Sequence, residues 1–123
     1  MAKRVKDIMT PINSLVYLSP ADTVETAYQE MKSKKIHSVL VKSYDDVLPR
    51  IFEEEDLRYV WSQKVDTKVE KLGDWAKSID HRADPEWPCD ELRSHFRYTA
   101  HLIVADEYGR MLGLVSTNDL RKC

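Results

Sequence analysis

Gly113-Leu114-Val115-Ser116-Thr117-Asn118-Asp119-Leu120 decides how this chain is read, because an altered copy stands 63 residues earlier as Arg50-Ile51-Phe52-Glu53-Glu54-Glu55-Asp56-Leu57. In both, a short apolar run leads into polar residues and then into Asp followed by Leu. The register holds without a gap from His37–Leu57 to Ala100–Leu120, setting Val41 over Val104 and Asp56 over Asp119. A self-similar chain is read as repeats before anything else. Here the repeat places one carboxylate at a helix start twice, where it can accept hydrogen bonds from the hydroxyls of a ligand.

The residues leading up to each anchor repeat as well. Val5-Lys6-Asp7-Ile8-Met9 is echoed by Leu72-Gly73-Asp74-Trp75-Ala76 at an offset of 67, and Ala27 with Met31 by Leu92 with Phe96 at an offset of 65. The falling offset means that each connection in the second copy is shorter. In the first copy, Val5 to Thr10 forms a short turn stopped by Pro11, and Leu15 to Leu18 reads as a buried strand ended by Ser19-Pro20. Asp22 with Glu25 has the spacing of a capping box, Asp standing in the Ser/Thr role. Val24, Ala27, Tyr28 and Met31 then form an i, i+3, i+4, i+7 stripe that faces a core. Val39 to Val41 is the next strand, Tyr44-Asp45-Asp46 a turn, and Val47 to Phe52 a third strand. Glu54 to Trp61 is a helix with Leu57, Val60 and Trp61 on its inner face.

The second copy places a helix near Asp90 and strands over Leu102–Ala105 and Met111–Ser116. Asp106-Glu107-Tyr108-Gly109 joins them as a strong turn signal. The last helix spans Asn118 to Lys122, and Asp84-Pro85 with Trp87-Pro88 spoil a regular strand over His81–Pro88. Gln63 to Glu70 reads as a polar linker. The expected organisation is a first repeat over 1–62, a linker over 63–70 and a second repeat over 71–123. Each repeat is β-α-β-β-α, and units of about 60 residues have marginal cores alone. The fold class is therefore α/β, two such repeats packed with pseudo-two-fold symmetry.

Composition narrows the function classes. Apolar residues make up 42% of the 123-residue chain and charged residues 33%, a globular balance. The formal charge of -2, with no basic block beyond Lys3-Arg4 and Lys6, argues against nucleic-acid binding through phosphate neutralisation. No apolar run approaches a membrane span, and the basic start is not followed by the apolar segment of a secretory signal. Two cysteines, Cys89 and Cys123, give no disulfide framework, so a reducing cytoplasm is the default setting.

Taken together, Val5-Lys6-Asp7-Ile8-Met9-Thr10-Pro11, Thr23 to Met31, and the two closing segments at Ile51–Leu57 and Gly113–Leu120 resemble a tandem pair of cystathionine-β-synthase (CBS) domains. The resemblance covers nearly the whole chain. It implies a module that binds adenosine-containing ligands in clefts between its halves, regulates an attached or separate enzyme, channel or transporter, and dimerises. The family's closing Thr/Ser and Asp, which hold ribose and a nearby phosphate, fall here on Ser116 and Asp119, with Thr117 between them; Asp56 is their counterpart in the first copy. A helix N-terminus at Ser116-Thr117 favours phosphate, and Gly113 would let the backbone come close to a ligand. Basic positions that face phosphate in the family correspond to His37-Ser38 and Ala100-His101. Apolar residues near Val16, Val39 and Leu102 would flank the adenine.

The first copy departs from this pattern, with Arg50 for the glycine and Glu53 for the Thr/Ser. A carboxylate about 4 Å from a phosphate charge costs on the order of 4 kcal/mol at an effective dielectric of about 20, roughly a thousandfold in affinity. Unless Arg50 or His37 compensates, that cleft is expected to be silent or to take an uncharged or cationic adenosyl group. In the second copy, Ala76 in place of Met9 and the irregular His81–Pro88 stretch alter the adenine wall.

Plainer readings stand beside these. Both aspartates suit a helix's first turn simply as acids, and Glu53 to Asp56 is better explained as a solvated helix start than as a metal site. His37, His81, His95 and His101 lack metal spacing, and Cys89 with His95 is too sparse for zinc. Trp61, Trp75 and Trp87 suit core or dimer contacts. There is no nucleophile elbow, phosphate-binding loop or dinucleotide fingerprint. The sequence thus leads to a non-enzymatic, homodimeric regulatory module that binds AMP first, or ATP or S-adenosylmethionine, needs no metal or catalytic cofactor, and signals to a partner enzyme or transporter. The alternative is a ligand-free dimerisation or protein-interaction module; a small-molecule enzyme is the weakest option.

Overall fold

The computed structural model describes residues 3–42 and 48–123. The turn expected at Tyr44-Asp45-Asp46 and the strand start expected at Val47 lie outside the described residues. In chain order the elements are α1 (Val5–Ile8), β1 (Thr10–Pro11), β2 (Tyr17–Leu18), α2 (Val24–Lys34), β3 (Ser38–Val41), β4 (Arg50–Glu53) and α3 (Glu54–Ser62). They continue with β5 (Lys77–Ser78), β6 (Arg82–Ala83), α4 (Leu92–His95), β7 (His101–Ala105) and β8 (Met111–Ser116). Short 3-10 turns occupy Ile12–Ser14, Leu72–Asp74, Cys89–Glu91 and Thr117–Lys122.

The strands form two four-stranded sheets, ordered β1-β8-β7-β6 and β2-β3-β4-β5. Each takes an edge strand from the other sequence copy: Thr10 and Pro11 of β1 pair with Leu114 and Gly113, and Lys77 and Ser78 of β5 pair with Ile51 and Arg50. The chain accordingly separates into a discontinuous unit, Met1–Leu15 with Ile79–Cys123, and a continuous unit, Val16–Ser78. These units are cut differently from the sequence repeats 1–62 and 71–123, because the opening segment of each copy pairs with the closing strand of the other.

In the continuous unit, Val24, Ala27 and Met31 of α2 and Leu57 and Val60 of α3 pack on Val39, Val41 and Phe52. The cap of α2 is Thr23, whose hydroxyl accepts the Thr26 N–H at 3.2 Å. Asp22, expected in that role, accepts the Ser19 N–H at 2.8 Å and shapes the preceding turn. The segment expected to be a linker completes the helix start. Its Glu70 and Thr67 carbonyls accept the Val24 and Glu25 N–H groups, both at 2.9 Å, which would otherwise lack helical partners. Trp61 is not on the inner face of α3. It lies one residue past Val60, about 100° around the helix, and is 48% exposed with its ring edge-on to Tyr28.

In the discontinuous unit, Val5, Ile8, Ala83, Leu92, Leu102, Val104 and Val115 form the core. The expected Leu15–Leu18 strand shrinks to β2, and the irregular stretch after His81 still contributes the two residues of β6, parallel to β7. Where a helix was expected from Asp90, a 3-10 turn leads into the single turn of α4, with Phe96 just beyond it packed on the core. The last helix is 3-10 over Thr117–Lys122, a long run for that geometry. Gly109 has φ 82°, a left-handed conformation that glycine adopts freely, and turns β7 into β8. Asp106 anchors that turn through the Arg110 and Tyr108 N–H groups at 2.9 Å each. The Arg110 backbone bond foremost, aided by its side chain, holds the Asp106 carboxyl below its ordinary value despite some desolvation.

Two cysteines gave no disulfide framework in the sequence, yet the fold brings them together as a Cys89–Cys123 disulfide with Cα atoms 5.9 Å apart. Lys3 ties both neighbourhoods: its carbonyl accepts the Cys89 N–H at 2.9 Å and its ammonium donates to the Lys122 carbonyl at 2.8 Å. Among the described residues, no helix is long and apolar enough to cross a membrane.

Candidate functional site

Each closing strand ends in the same local device. Ser116, in extended conformation, caps the 3-10 turn, its side chain receiving the Asp119 N–H while Asp119 receives the Ser116 N–H at 2.8 Å. Glu53 and Asp56 do the same at the start of α3, again with 2.8 Å from the Glu53 N–H. This is the reciprocal bonding of a capping box, which satisfies two orphan donors at a helix start. The approach from the neighbouring strand matches too: the Thr117 N–H donates to the Ala100 carbonyl at 3.2 Å, and the Glu54 N–H to the His37 carbonyl at 3.1 Å.

Asp119 is only 8% exposed. Its Oδ2 serves the cap and also accepts the Ser116 hydroxyl at 3.3 Å, while Oδ1 meets the Lys122 ammonium at 2.8 Å. Lys122 also reaches the Ile8 carbonyl at 3.4 Å. The Ser116 turn therefore combines one carboxylate paired with the Lys122 ammonium, a second cation in Arg121, and hydroxyls from Ser116 and Thr117.

Strand register sorts the remaining candidates. His101 lies directly opposite Ser116, and Ile103 opposite Leu114, so these four share one face of the sheet. Thr10, opposite Leu114 on β1, joins them. Leu102 lies on the other face and is fully buried in the core beside Val115 and Val104. It was expected beside an adenine, but on β7 alternation gives the face of Ser116 to Ile103. A Cβ on Gly113 would stand 2.5 Å from the Thr10 carbonyl oxygen and 2.8 Å from the Met9 sulfur. The close approach that requires glycine here is made by the chain's own opening segment. Val16 is half-buried against the continuous-unit core and accepts the Leu40 N–H at 2.8 Å.

The first-copy turn is charged differently. The Lys77 ammonium lies 2.6 Å from Glu53 Oε2 and 3.5 Å from Asp56 Oδ1. Burial pulls the Lys77 pKa down, but hydrogen bonding and charge from Glu53, with the charge of Asp56, outweigh it and hold the group above the ordinary lysine value. His37, expected to compensate a phosphate, has its Nδ1 3.0 Å from Glu54, which Arg58 also approaches at 3.5 Å. Arg50 Nε is buried without a hydrogen-bond partner among the described residues.

Sequence reasoning missed Lys77 and Thr10 as counterparts. Extending the 67-residue echo one position beyond Ala76 sets Lys77 over Thr10, and the sheets put both at the matching register position. Asp90 lies beside Cys89 and Cys123, but cysteines joined in a disulfide are not the thiolate ligands a metal would need.

The comparisons with known proteins agree with this architecture. The CBS domain profile matches residues 5–62 and 81–123, so the chain belongs to the CBS domain family, and its two copies form a CBS pair. Among solved structures it resembles the CBS-domain protein ATU1752 of Agrobacterium tumefaciens, with 25% identity and TM-score 0.80 over 99% of this chain and 93% of that one. It also resembles the CBS-pair protein CBSX2 of Arabidopsis thaliana, with 18% identity and TM-score 0.76 over 99% and 94%. A third is PAE2072 of Pyrobaculum aerophilum, complexed with AMP, with 18% identity and TM-score 0.76 over 94% and 88%. CBSX2 has likewise been solved in complex with AMP. No curated protein matches the chain.

Proposed function

We propose that this protein is a non-enzymatic regulatory module that binds an adenosine-containing ligand, AMP first, at the Ser116–Asp119 turn. The observation that carries the reading is the ion pair of Asp119 and Lys122 beside the Ser116 and Thr117 hydroxyls. A carboxylate there can accept a ribose diol, and Lys122 offsets its charge toward a phosphate. Gly113 and His101 remain contributors under this reading, with Asp56 and His37 as the first-copy counterparts of Asp119 and Ala100. The AMP complexes of two similar folds support the choice of ligand. ATP and S-adenosylmethionine share the adenosyl group and remain in the proposed class.

The module is proposed to act as a homodimer, signalling to an enzyme or transporter. An apolar groove of about 280 Å³ between α2 and α3, lined by Tyr28, Met31, Leu57 and Trp61, supports a protein contact. That groove and the ion-paired Glu53 turn also favour a second reading, a dimerisation module that binds no ligand.

A thermal-shift panel of AMP, ADP, ATP, S-adenosylmethionine and NADH separates the two. An adenosyl ligand at 100 times its Kd stabilises by about 2.7 kcal/mol. Asp119→Asn, which retains an acceptor for the cap, is expected to abolish that shift. No response to any of the five compounds favours the second reading.

A further inference from the structure

Lys77 and Thr10 hold one register position in two sheets: Lys77 lies opposite Ile51 next to the Glu53 turn, Thr10 opposite Leu114 next to the Ser116 turn. Directly opposed residues on antiparallel strands share a face. The substitution between copies is therefore a coupled one. Thr10 with Ser116 in one sheet is replaced by Lys77 with Glu53 in the other, and the two charged residues are bonded to each other at 2.6 Å. A second exchange accompanies it. Gly113 leaves room for the Met9 side chain and the Thr10 backbone, whereas Arg50 and Ala76 hold the corresponding positions in the other copy.

Resting on the reading of the Ser116 turn above, we infer that Lys77 and Glu53 are a specificity-determining pair. They seal the first-copy turn against phosphate-bearing nucleotides and reserve one such ligand per chain for the second copy. Lys77 bridges two acids, 2.6 Å from Glu53 and 3.5 Å from Asp56, so its turn carries one more carboxylate than cation at these contacts. Displacing that ammonium would leave Glu53 and Asp56 facing the incoming phosphate uncompensated. Lys122 does not act in this way, because it contacts the single carboxylate of a turn whose capping residue is a neutral serine. The same pairing argues against a cationic ligand in the first copy, since Lys77 already holds the place of a cation.

Titration calorimetry with AMP tests this on the whole chain and on Arg50→Gly/Glu53→Ser/Ala76→Met/Lys77→Thr, which carries the second-copy set onto the continuous unit. Stoichiometry is expected to rise from one AMP per chain to two. Two AMP bound by the native chain would overturn the inference and leave the reading of the Ser116 turn intact. So would a variant that keeps its circular dichroism and first-site affinity but still binds one. Should the native chain bind none, that earlier reading fails. A variant that then binds one AMP still supports the seal, and one that binds none overturns it.

The reciprocal change, Thr10→Lys/Ser116→Glu, covers a transplant that does not fold. It is expected to weaken AMP binding on the order of a hundredfold or more. Affinity retained within about threefold of native overturns the inference, since a hundredfold loss corresponds to about 2.7 kcal/mol.

Discussion

At the end of β4 the Glu53 N–H donates to Asp56, and at the end of β8 the Ser116 N–H donates to Asp119, both at 2.8 Å. The backbones of the two turns are interchangeable in this respect; their side chains are not. One turn gathers Glu53, Glu54, Glu55 and Asp56 and draws Lys77 across from an edge strand, while the other holds a single acid and a lysine from its own turn. The shared aspartate is thus first a capping residue, and its presence in both copies follows from the need to start a helix after a strand. Under the proposed reading, the contrast between the two turns lies at four other paired positions: 9 and 76, 10 and 77, 113 and 50, 116 and 53.

The largest expected effect distinguishes the units around these turns. Only the discontinuous unit carries the Cys89–Cys123 disulfide, which spans 34 positions. Closing a loop of that size in the unfolded chain stabilises by about 2–4 kcal/mol. Reduction, or Cys123→Ser, is expected to lower hydrogen-exchange protection of β7 and β8 by that amount and to leave β3 and β4 nearly unchanged. Equal loss of protection in both sheets would mean that the units unfold as one.

Next in size is the exchange of glycine for arginine. Gly113→Ala places a methyl against the Thr10 backbone and the Met9 sulfur. Because a backbone oxygen cannot swing aside, a cost of about 1–3 kcal/mol is expected in urea unfolding. Arg50→Gly meets no such crowding and is expected to cost under about 1 kcal/mol, chiefly through backbone freedom. Equal costs at the two positions would remove the steric account of Gly113.

Much of this was legible in the sequence, for identifiable reasons. The strands β3, β7 and β8 and the helix α2 were readable because short apolar runs and a 3.6-residue stripe are local signals. The edge strands β1 and β5 were not, since two-residue strands such as Thr10–Pro11 exist only through their partners. Asp22 was preferred to Thr23 as a cap because both types serve that role, and only the tertiary path decides between adjacent candidates. The carboxylates of the site were visible as a repeat. Their cations were not: Lys77 comes from an edge strand and Lys122 from within the turn, and neither carries a pattern of its own.

The smallest effect isolates the Lys77 ammonium itself. Its side chain is 45% exposed, so solvent screening limits the pair to about 1 kcal/mol at neutral pH. Lys77→Met is expected to lower the unfolding free energy by about that much at pH 7 to 9. Because the pKa is raised in the folded protein, the contribution is fully present below the unfolded lysine value of about 10.4. It is lost as pH rises through the higher folded value. The native and Lys77→Met proteins should therefore converge in stability at alkaline pH above the unfolded lysine value, measured by urea unfolding across that range. A difference that persists undiminished there would assign the effect to packing of the lysine stem and weaken the charge-based contrast between the two turns.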